Sequence, residues 1–258
     1  MLRIQRDSAN GFAETLVPAL MKVDLAGPAV QARELLKSWD RTQESGSAAA
    51  AYFNAVWRHL LTLTFDDDLP EAARPTGGDR WYEVVRRLLE APDDPFWDDV
   101  GTKELKESRD DVLRQALASA YQELADRLGT DVKAWRWGDL HQLELVNGSL
   151  GVSGVAPVEA LFNRGPLAVS GSKDAVNATG WNVQEGYAVT AVPSMRMVVD
   201  LSDLDKSRWI NLTGASGHAF HDNYWDQAKV WAKGELLPMY SSPEAVKKAA
   251  VHTLRLTP

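Results

Sequence analysis

The hydrophobic pattern of this 258-residue chain changes once, near Trp135, and that change limits the fold more than any other feature. Before Trp135 apolar residues recur at helical spacing, and after it they form short runs between glycines. Helices followed by strands are typical of the α+β class with antiparallel pairing. We therefore predict a helical segment over residues 1–130 and an antiparallel β segment with a C-terminal helix over residues 131–258, forming one structural unit.

Apolar residues at helical spacing predict five helices in the first half. The strongest covers residues 105–128, where one apolar stripe ends before Gly129, a residue suited to a C-cap. Another, over residues 48–63, places its large apolar side chains on one face. The remaining helices are predicted at 2–23, with a kink at Pro18, at 30–39 and at 81–89.

Short β-forming runs bounded by glycine predict the strands of the second half. They lie at residues 168–170, 175–181, 187–192, 195–201, 209–213 and 251–256. Two short helices are predicted among them, one over 227–233 that stops at Gly234 and one over 243–250.

Composition narrows the classes of partner and of chemistry. The net charge of −8 and the pI near 5.2 argue against a nucleic-acid partner. No run is long and apolar enough for a membrane span, so we predict no membrane partner. The chain contains no cysteine, which excludes disulfides and thiolate chemistry. Residues 1–7 lack the apolar core of a secretory signal peptide.

A polar loop lies between the strand predicted at 209–213 and the helix predicted at 227–233. It holds four side chains of metal-ligand type, although their spacing is not that of a His-Glu-x-x-His site: His218, His221, Asp222 and Asp226. We weigh a metal site against a hydrogen-bonded loop and predict the loop, with no metal. In that reading Tyr224, Asp226 and Gln227 hydrogen-bond to backbone groups.

Three adjacent carboxylates, Asp66, Asp67 and Asp68, leave a similar choice. Calcium is bound by clustered carboxylates, but the glycine and the spacing of an EF-hand loop are missing here. A solvated helix end is the favoured interpretation.

Four motifs resemble, in order, those of the penicillin acylase (penicillin amidase) family. They are Trp-Arg-Trp-Gly-Asp-Leu-His at 135–141, Gly-Pro…Gly…Val-Asn-Ala at 165–178, Ser-Met-Arg-Met-Val-Val-Asp at 194–200, and Gly-x-Ser-Gly-His, Tyr-x-Asp-Gln and Trp-x-x-Gly-Glu within 214–235. The last motif departs from the family pattern at Ala219, where proline is usual, and at Asn223, where histidine is usual. The motifs cover roughly residues 130–240.

The resemblance implies part of an Ntn hydrolase, an αββα sandwich made from a processed precursor. Its nucleophile is an N-terminal serine whose own α-amine acts as base. The chain contains no Ser-Asn dipeptide, the family's motif at that serine, so we interpret it as the C-terminal part of the β chain, without the nucleophile. The family's oxyanion asparagine and calcium ligands belong to upstream segments, so no cofactor is predicted here.

These expectations define the function. The chain is predicted to be the C-terminal scaffold of an amidohydrolase that cleaves an acyl amide, such as a β-lactam side chain or an acyl-homoserine lactone. Its partners would be the α chain, the N-terminal part of the β chain and a small acyl-amide substrate. Family resemblance implies a periplasmic or secreted location. The alternative is a non-catalytic interaction domain derived from that scaffold.

Four residues are candidates for supporting catalysis from behind the reactive groups: Asp200, Arg196, Asn177 and His218. Asp200 would be the carboxylate of a Ser–His–carboxylate relay, as in the related cephalosporin acylases. The alternative is a buried ion pair, because Arg196 and Asp200 are four apart in the strand predicted at 195–201 and share a face. Asn177 would otherwise satisfy backbone groups at a strand bend.

Two further inferences follow from the sequence. A nucleophile-elbow hydrolase needs Gly-x-Ser-x-Gly, which neither 151–154 nor 214–217 provides. Five or six strands and one layer of helices would not close an Ntn sandwich, so we expect exposed apolar surface and open strand edges.

Overall fold

The structure is a computed structural model that describes residues 1–256. Its first half is helical and its second half carries two antiparallel sheets, which confirms the predicted α+β class. The elements are α1 (Ala13–Lys22), α2 (Ala29–Lys37), α3 (Ala48–Phe65), α4 (Asp79–Leu89), α5 (Arg109–Leu128), α6 (Trp137–Leu140), β1 (Gln142–Leu145), α7 (Ala156–Phe162), β2 (Arg164–Ala168), β3 (Met195–Val198), β4 (Arg208–Asn211), α8 (Ala228–Ala232), β5 (Leu237–Pro238) and α9 (Pro243–Ala249).

Helix α3 is the centre of the main core. The sequence placed its apolar side chains on one face, but every residue from Ala49 to Trp57 is buried, so neighbours cover it on all sides. It packs against α2, α5 and α6, and Tyr52 donates its hydroxyl to the carbonyl of Leu117 in α5 at 2.9 Å. Small alanines at the start of α3 let these neighbours approach closely.

Two predicted helices begin later than the sequence indicated. Helix α5 starts at Arg109 because Ser108 and Asp111 form a capping box, and Leu105 lies outside it, exposed. Helix α1 starts at Ala13 because the preceding backbone is extended and pairs with a second segment. The amide of Asn10 donates to Arg41 and the amide of Gln43 donates to Ser8.

The two sheets are small and antiparallel. Strand β1 pairs with β2, and the second sheet has the order β3-β4-β5. Its register joins Met197 to Trp209 and Trp209 to Leu237 across the three strands. Below this sheet, α8 and the β1–β2 pair enclose a small core of Leu143, Val169, Ile210 and Trp231.

Three strand predictions are wrong. Residues 175–181 and 187–192 form only isolated bridges, Ser172 with Ala178 and Gly180 with Ala191. That region turns too often for a ladder, with Gly171 and Asp174 at positive φ. Residues 251–256 form no strand and are exposed, because no neighbouring strand lies beside them. The predicted strand at 168–170 lies mostly past β2, and β1, α7 and β5 were not predicted.

The boundary near residue 130 separates a helical part from a part that contains the strands, but the main core extends across it. Trp181, Val183 and Tyr187 of the second half are buried in the same cluster as the helices. Within residues 1–256, no helix combines the length and the apolar character that crossing a bilayer requires.

Candidate functional site

Polar side chains, most of them buried, meet where the helical half contacts the β half. We name this set the junction network, and it consists of Ser8, Glu44, His141, Ser170, Asn177, Thr179 and Arg196. Extended segments and loops supply most of its members, since α-helices and strand ladders already use their own backbone groups. The network therefore satisfies the irregular backbone around residues 170–180.

Arg196, on β3, is the most constrained member of the junction network. Its guanidinium donates to the carbonyl of Trp231 at 2.8 Å and to Oδ1 of Asn177 at 2.7 Å. It also lies 4.0 Å above the Trp231 ring. Burial lowers the pKa of Arg196 to about 10, with a smaller contribution from Arg6, so the group stays charged at neutral pH.

Asn177 and Ser170 extend these contacts toward the N-terminal segment. Asn177 donates its side-chain amide to the Ser170 carbonyl at 3.0 Å, and its backbone amide donates to Asp7 at 2.7 Å. The carboxylate of Glu44 accepts hydroxyl hydrogen bonds from Ser170 at 2.9 Å and from Ser8 at 2.7 Å. Asn177 thus satisfies backbone groups at a bend, as the sequence analysis expected in its alternative reading.

His141 forms the second branch of the junction network and is fully buried. Its Nδ1 lies 2.8 Å from the carbonyl of Tyr187, which can only accept, so Nδ1 carries the proton. Its Nε2 then accepts from the Thr179 hydroxyl at 2.9 Å. The ring stacks on Trp137 at 4.4 Å. Burial lowers the pKa of His141 to about 4, against the smaller opposing effect of its hydrogen bonds.

We expect His141 to make the chain less stable in mild acid. The unfolded histidine binds a proton near pH 6.5 and the native one only near pH 4. Its stabilisation is complete above pH 6.5, and about 3 kcal/mol is lost as the pH falls from 6.5 to 4. His141→Phe keeps the stacking on Trp137 and should flatten this window in urea titrations from pH 7.5 to 4. An unchanged slope in the variant would assign the effect to other groups.

A second, largely buried charge, Glu123 on α5, was not anticipated from the sequence. Its carboxylate accepts from His59 Nε2 at 2.8 Å and from the Tyr187 hydroxyl at 2.8 Å. Arg127 lies at 3.0 Å and Arg58 at 3.4 Å. Burial alone would raise the pKa of Glu123, but the hydrogen bonds of His59 and Tyr187 and the charge of Arg58 outweigh it and lower the pKa to about 2.

Arg196 and Asp200 do not form the ion pair that their spacing in the predicted strand indicated. Strand β3 ends at Val198, so the period of two no longer applies at Asp200. Asp200 instead accepts from the backbone amide and hydroxyl of Ser202, and these hydrogen bonds lower its pKa. No histidine of residues 1–256 hydrogen-bonds to Asp200, so the described residues form no relay through it.

The polar loop at 214–227 is held largely as predicted. Tyr224 donates its hydroxyl to the carbonyl of Phe162 at 2.7 Å, and Gln227 accepts from the backbone amide of Asn211 at 2.9 Å. Asp226 makes no backbone hydrogen bond in the described chain, so that part of the prediction is wrong. His218 is exposed, and its Nδ1 accepts from the amide of Phe220 at 3.3 Å.

No group of three or more histidines or carboxylates converges as a metal site in residues 1–256. The ring of His221 caps a turn by accepting from the amide of Asn223. Asp66 and Asp67 follow the end of α3, where Asp66 lies near Arg74 and Asp67 accepts from Val100. Asp66 and Asp67 therefore have different protein partners within the described residues.

The junction network opens on a cleft of about 530 Å³ that Glu44, Ser170 and Asn177 line. Ser170 is one of the hydroxyl groups on this cleft, but its hydroxyl bonds to a carboxylate and no imidazole in residues 1–256 hydrogen-bonds to it. Serine is a weak nucleophile without an adjacent base. The arrangement binds and orients the polypeptide segments that carry its members.

Comparison with known proteins relates this chain to acylases by family model and by sequence identity. The family model described as penicillin amidase matches residues 1–248. Penicillin acylase 2 proenzyme of Pseudomonas sp. (strain SE83) is 31% identical over 98% of the chain, and an acyl-homoserine lactone acylase QuiP of Pseudomonas fluorescens is 27% identical over all of it. The chain spans 33% of the length of each of these two relatives.

A solved structure shows the same fold. Thermostable penicillin G acylase from Alcaligenes faecalis superposes with a TM-score of 0.51 at 16% identity, over 97% of this chain and 47% of that one. This confirms the predicted fold class, part of an αββα Ntn-hydrolase sandwich. Together with the match over residues 1–248, it establishes that the chain belongs to the penicillin amidase family.

Proposed function

We propose that this chain is the C-terminal scaffold of an N-terminal-serine amidohydrolase that cleaves an acyl amide. The observation that carries the proposal is the match to the family over residues 1–248 by a chain that spans a third of its acylase relatives. The remaining length of such a precursor would supply the nucleophilic serine, the oxyanion groups and the calcium ligands. The substrate would be a β-lactam side chain, an acyl-homoserine lactone or a similar amide.

The geometry of the junction network supports a scaffolding role. Its histidine is buried and neutral, its arginine is committed to Asn177 and Trp231, and Ser170 has no imidazole beside it in residues 1–256. Groups fixed in this way hold segments in place rather than exchange protons with a substrate. Arg196 and Asn177 would thus support the catalytic residues only through the backbone that they position. We also propose a periplasmic or secreted location.

We expect the purified chain alone to hydrolyse no amide. It should leave both phenylacetyl and long-chain acyl amides of a chromogenic amine intact, because it would lack the serine nucleophile and its α-amine base. The same substrates should be cleaved when the chain is produced within its complete precursor. Turnover by the isolated chain that is abolished by Ser170→Ala, and not by Ser8→Ala, would contradict the proposal. A complete precursor without any amidase activity would instead favour the interaction-domain alternative.

A further inference from the structure

Strand β3 has one edge that no other strand covers in the described chain. Its inner edge pairs with β4, and the amide of Leu212 donates to Ser194 at 2.8 Å. Hydrogen-bonded positions alternate in an antiparallel pair, so Arg196 and Val198 also point their backbone groups at β4. The N–H and C=O groups of Met195, Met197 and Val199 therefore point outward.

Among residues 1–256, one side chain hydrogen-bonds to this outer edge. Gln5 donates its amide nitrogen to the carbonyl of Met197 at 2.9 Å, as a neighbouring strand would. The amide oxygen of Gln5 is buried and has no hydrogen-bond partner in residues 1–256. Buried polar atoms without partners are rare, so this contact is an incomplete substitute for a strand.

The same alternation places an apolar row on one face of the sheet. Met195, Met197 and Val199 lie on the face opposite buried Arg196 and are 47%, 43% and 42% exposed. The register aligns Met197 with Trp209 and then with Leu237, which extends the row across all three strands. An unpaired edge beside an exposed apolar face is what a strand-addition site presents.

We propose that an extended segment from the remaining part of the precursor adds to the outer edge of β3 and covers this apolar row. The inference rests on the proposed function. The occupant follows from length, because the chain spans 33% of its acylase relatives and 47% of the solved penicillin G acylase chain. The added strand alternates apolar and polar residues, displaces the Gln5 amide from Met197, and pairs with Met195, Met197 and Val199.

Amide hydrogen exchange tests the placement directly, with the isolated chain compared with the chain in complex with the rest of its own precursor. In the isolated chain the amides of Arg196 and Val198 should be protected, and those of Met195, Met197 and Val199 should exchange rapidly. All five should be protected in the complex. A complex in which the three outward amides still exchange rapidly would overturn the inference while leaving the proposed function intact.

Proline substitution distinguishes the contribution of the β3 edge to binding from that of the apolar face. Met197→Pro removes an outward N–H without breaking a bond to β4, and Val199→Pro does the same at the next outward position. Both should weaken the complex at least about tenfold, since each removes a backbone hydrogen bond and blocks the edge. Met197→Ala keeps the edge, trims the face and should bind more tightly than Met197→Pro.

Protection of Arg196 and Val198 in each proline variant verifies that the sheet is folded. Equal affinity of the folded proline variants and the wild type would overturn the inference. Protection of the outward amides by self-association, seen in sedimentation of the isolated chain, would identify a second copy as the occupant and also overturn it. Failure to form any complex would contradict both the proposed function and the inference.

Discussion

Glu123→Gln is expected to lower the free energy of unfolding at pH 7 by about 3 kcal/mol, the lower end of the range for breaking a buried ion pair. The carboxylate side chain is 12% exposed and accepts from His59 and Tyr187, with Arg58 and Arg127 beside it. Glutamine matches its shape but leaves these donors without a negative partner. Urea unfolding monitored by tryptophan fluorescence measures the loss, because α3, α5 and the loop at Tyr187 separate from one another when the chain unfolds.

The pH dependence of Glu123 distinguishes charge from packing. The native carboxyl titrates near pH 2 and the unfolded one near 4.5, so its stabilisation is complete above pH 4.5 and is lost as the pH falls toward 2. The Gln variant should lose that dependence. Glu83→Gln is the matched control, because Glu83 also binds two arginines but is solvent-exposed and should change stability little. Equal effects at the two sites would contradict the buried-cluster interpretation.

The sequence predicts the helical half well because that half is organised by local spacing. The stripe in α5 and the apolar run of α3 appear at their observed positions within a few residues. The errors fall at the ends, where Ser108 and the paired segment at Asn10 decide the start of a helix. Caps of this kind compete with the continuing apolar pattern, and periodicity alone does not reveal them.

The β half was harder to predict because side-chain hydrogen bonds replace a ladder there. Residues 170–180 are fixed by Asn177, Thr179 and the turn at Gly171, which has φ of 102° and lies against the Asn177 carbonyl. A period of two does not describe such a segment. The same limit explains Asp200, which was placed on a strand that ends before it.

The buried titratable groups were missed because their partners are distant in sequence. His141 bonds to Thr179, 38 residues away, and Glu123 bonds to His59, 64 residues away. A lone histidine or glutamate carries no local signal of such a partner. His141 does lie in the Trp-Gly-x-Leu-His motif at 137–141, so the resemblance contained the residue although the residue pattern assigned it no role.

The second large effect is expected at Arg196, where Arg196→Ala should lower the free energy of unfolding by about 3–5 kcal/mol. The change removes hydrogen bonds to Asn177 and to the Trp231 carbonyl, and it removes the guanidinium from the Trp231 ring. Arg196→Lys keeps the charge but cannot span both acceptors, so about half of that loss should remain. Thermal and urea unfolding of the isolated chain measure both variants.

Two matched substitutions decide whether that loss belongs to the junction network. Arg208 lies opposite Val198 on the same sheet, and within residues 1–256 its guanidinium binds only the nearby carbonyls of Lys206 and Ser207. Arg208→Ala should therefore lower the free energy of unfolding by less than about 1 kcal/mol. The double variant with Asn177→Ala should lose less than the sum of the single changes, because the two residues share one hydrogen bond. Additive losses, or equal losses at Arg196 and Arg208, would show that Arg196 acts only as a packed side chain and that the network does not join the two halves.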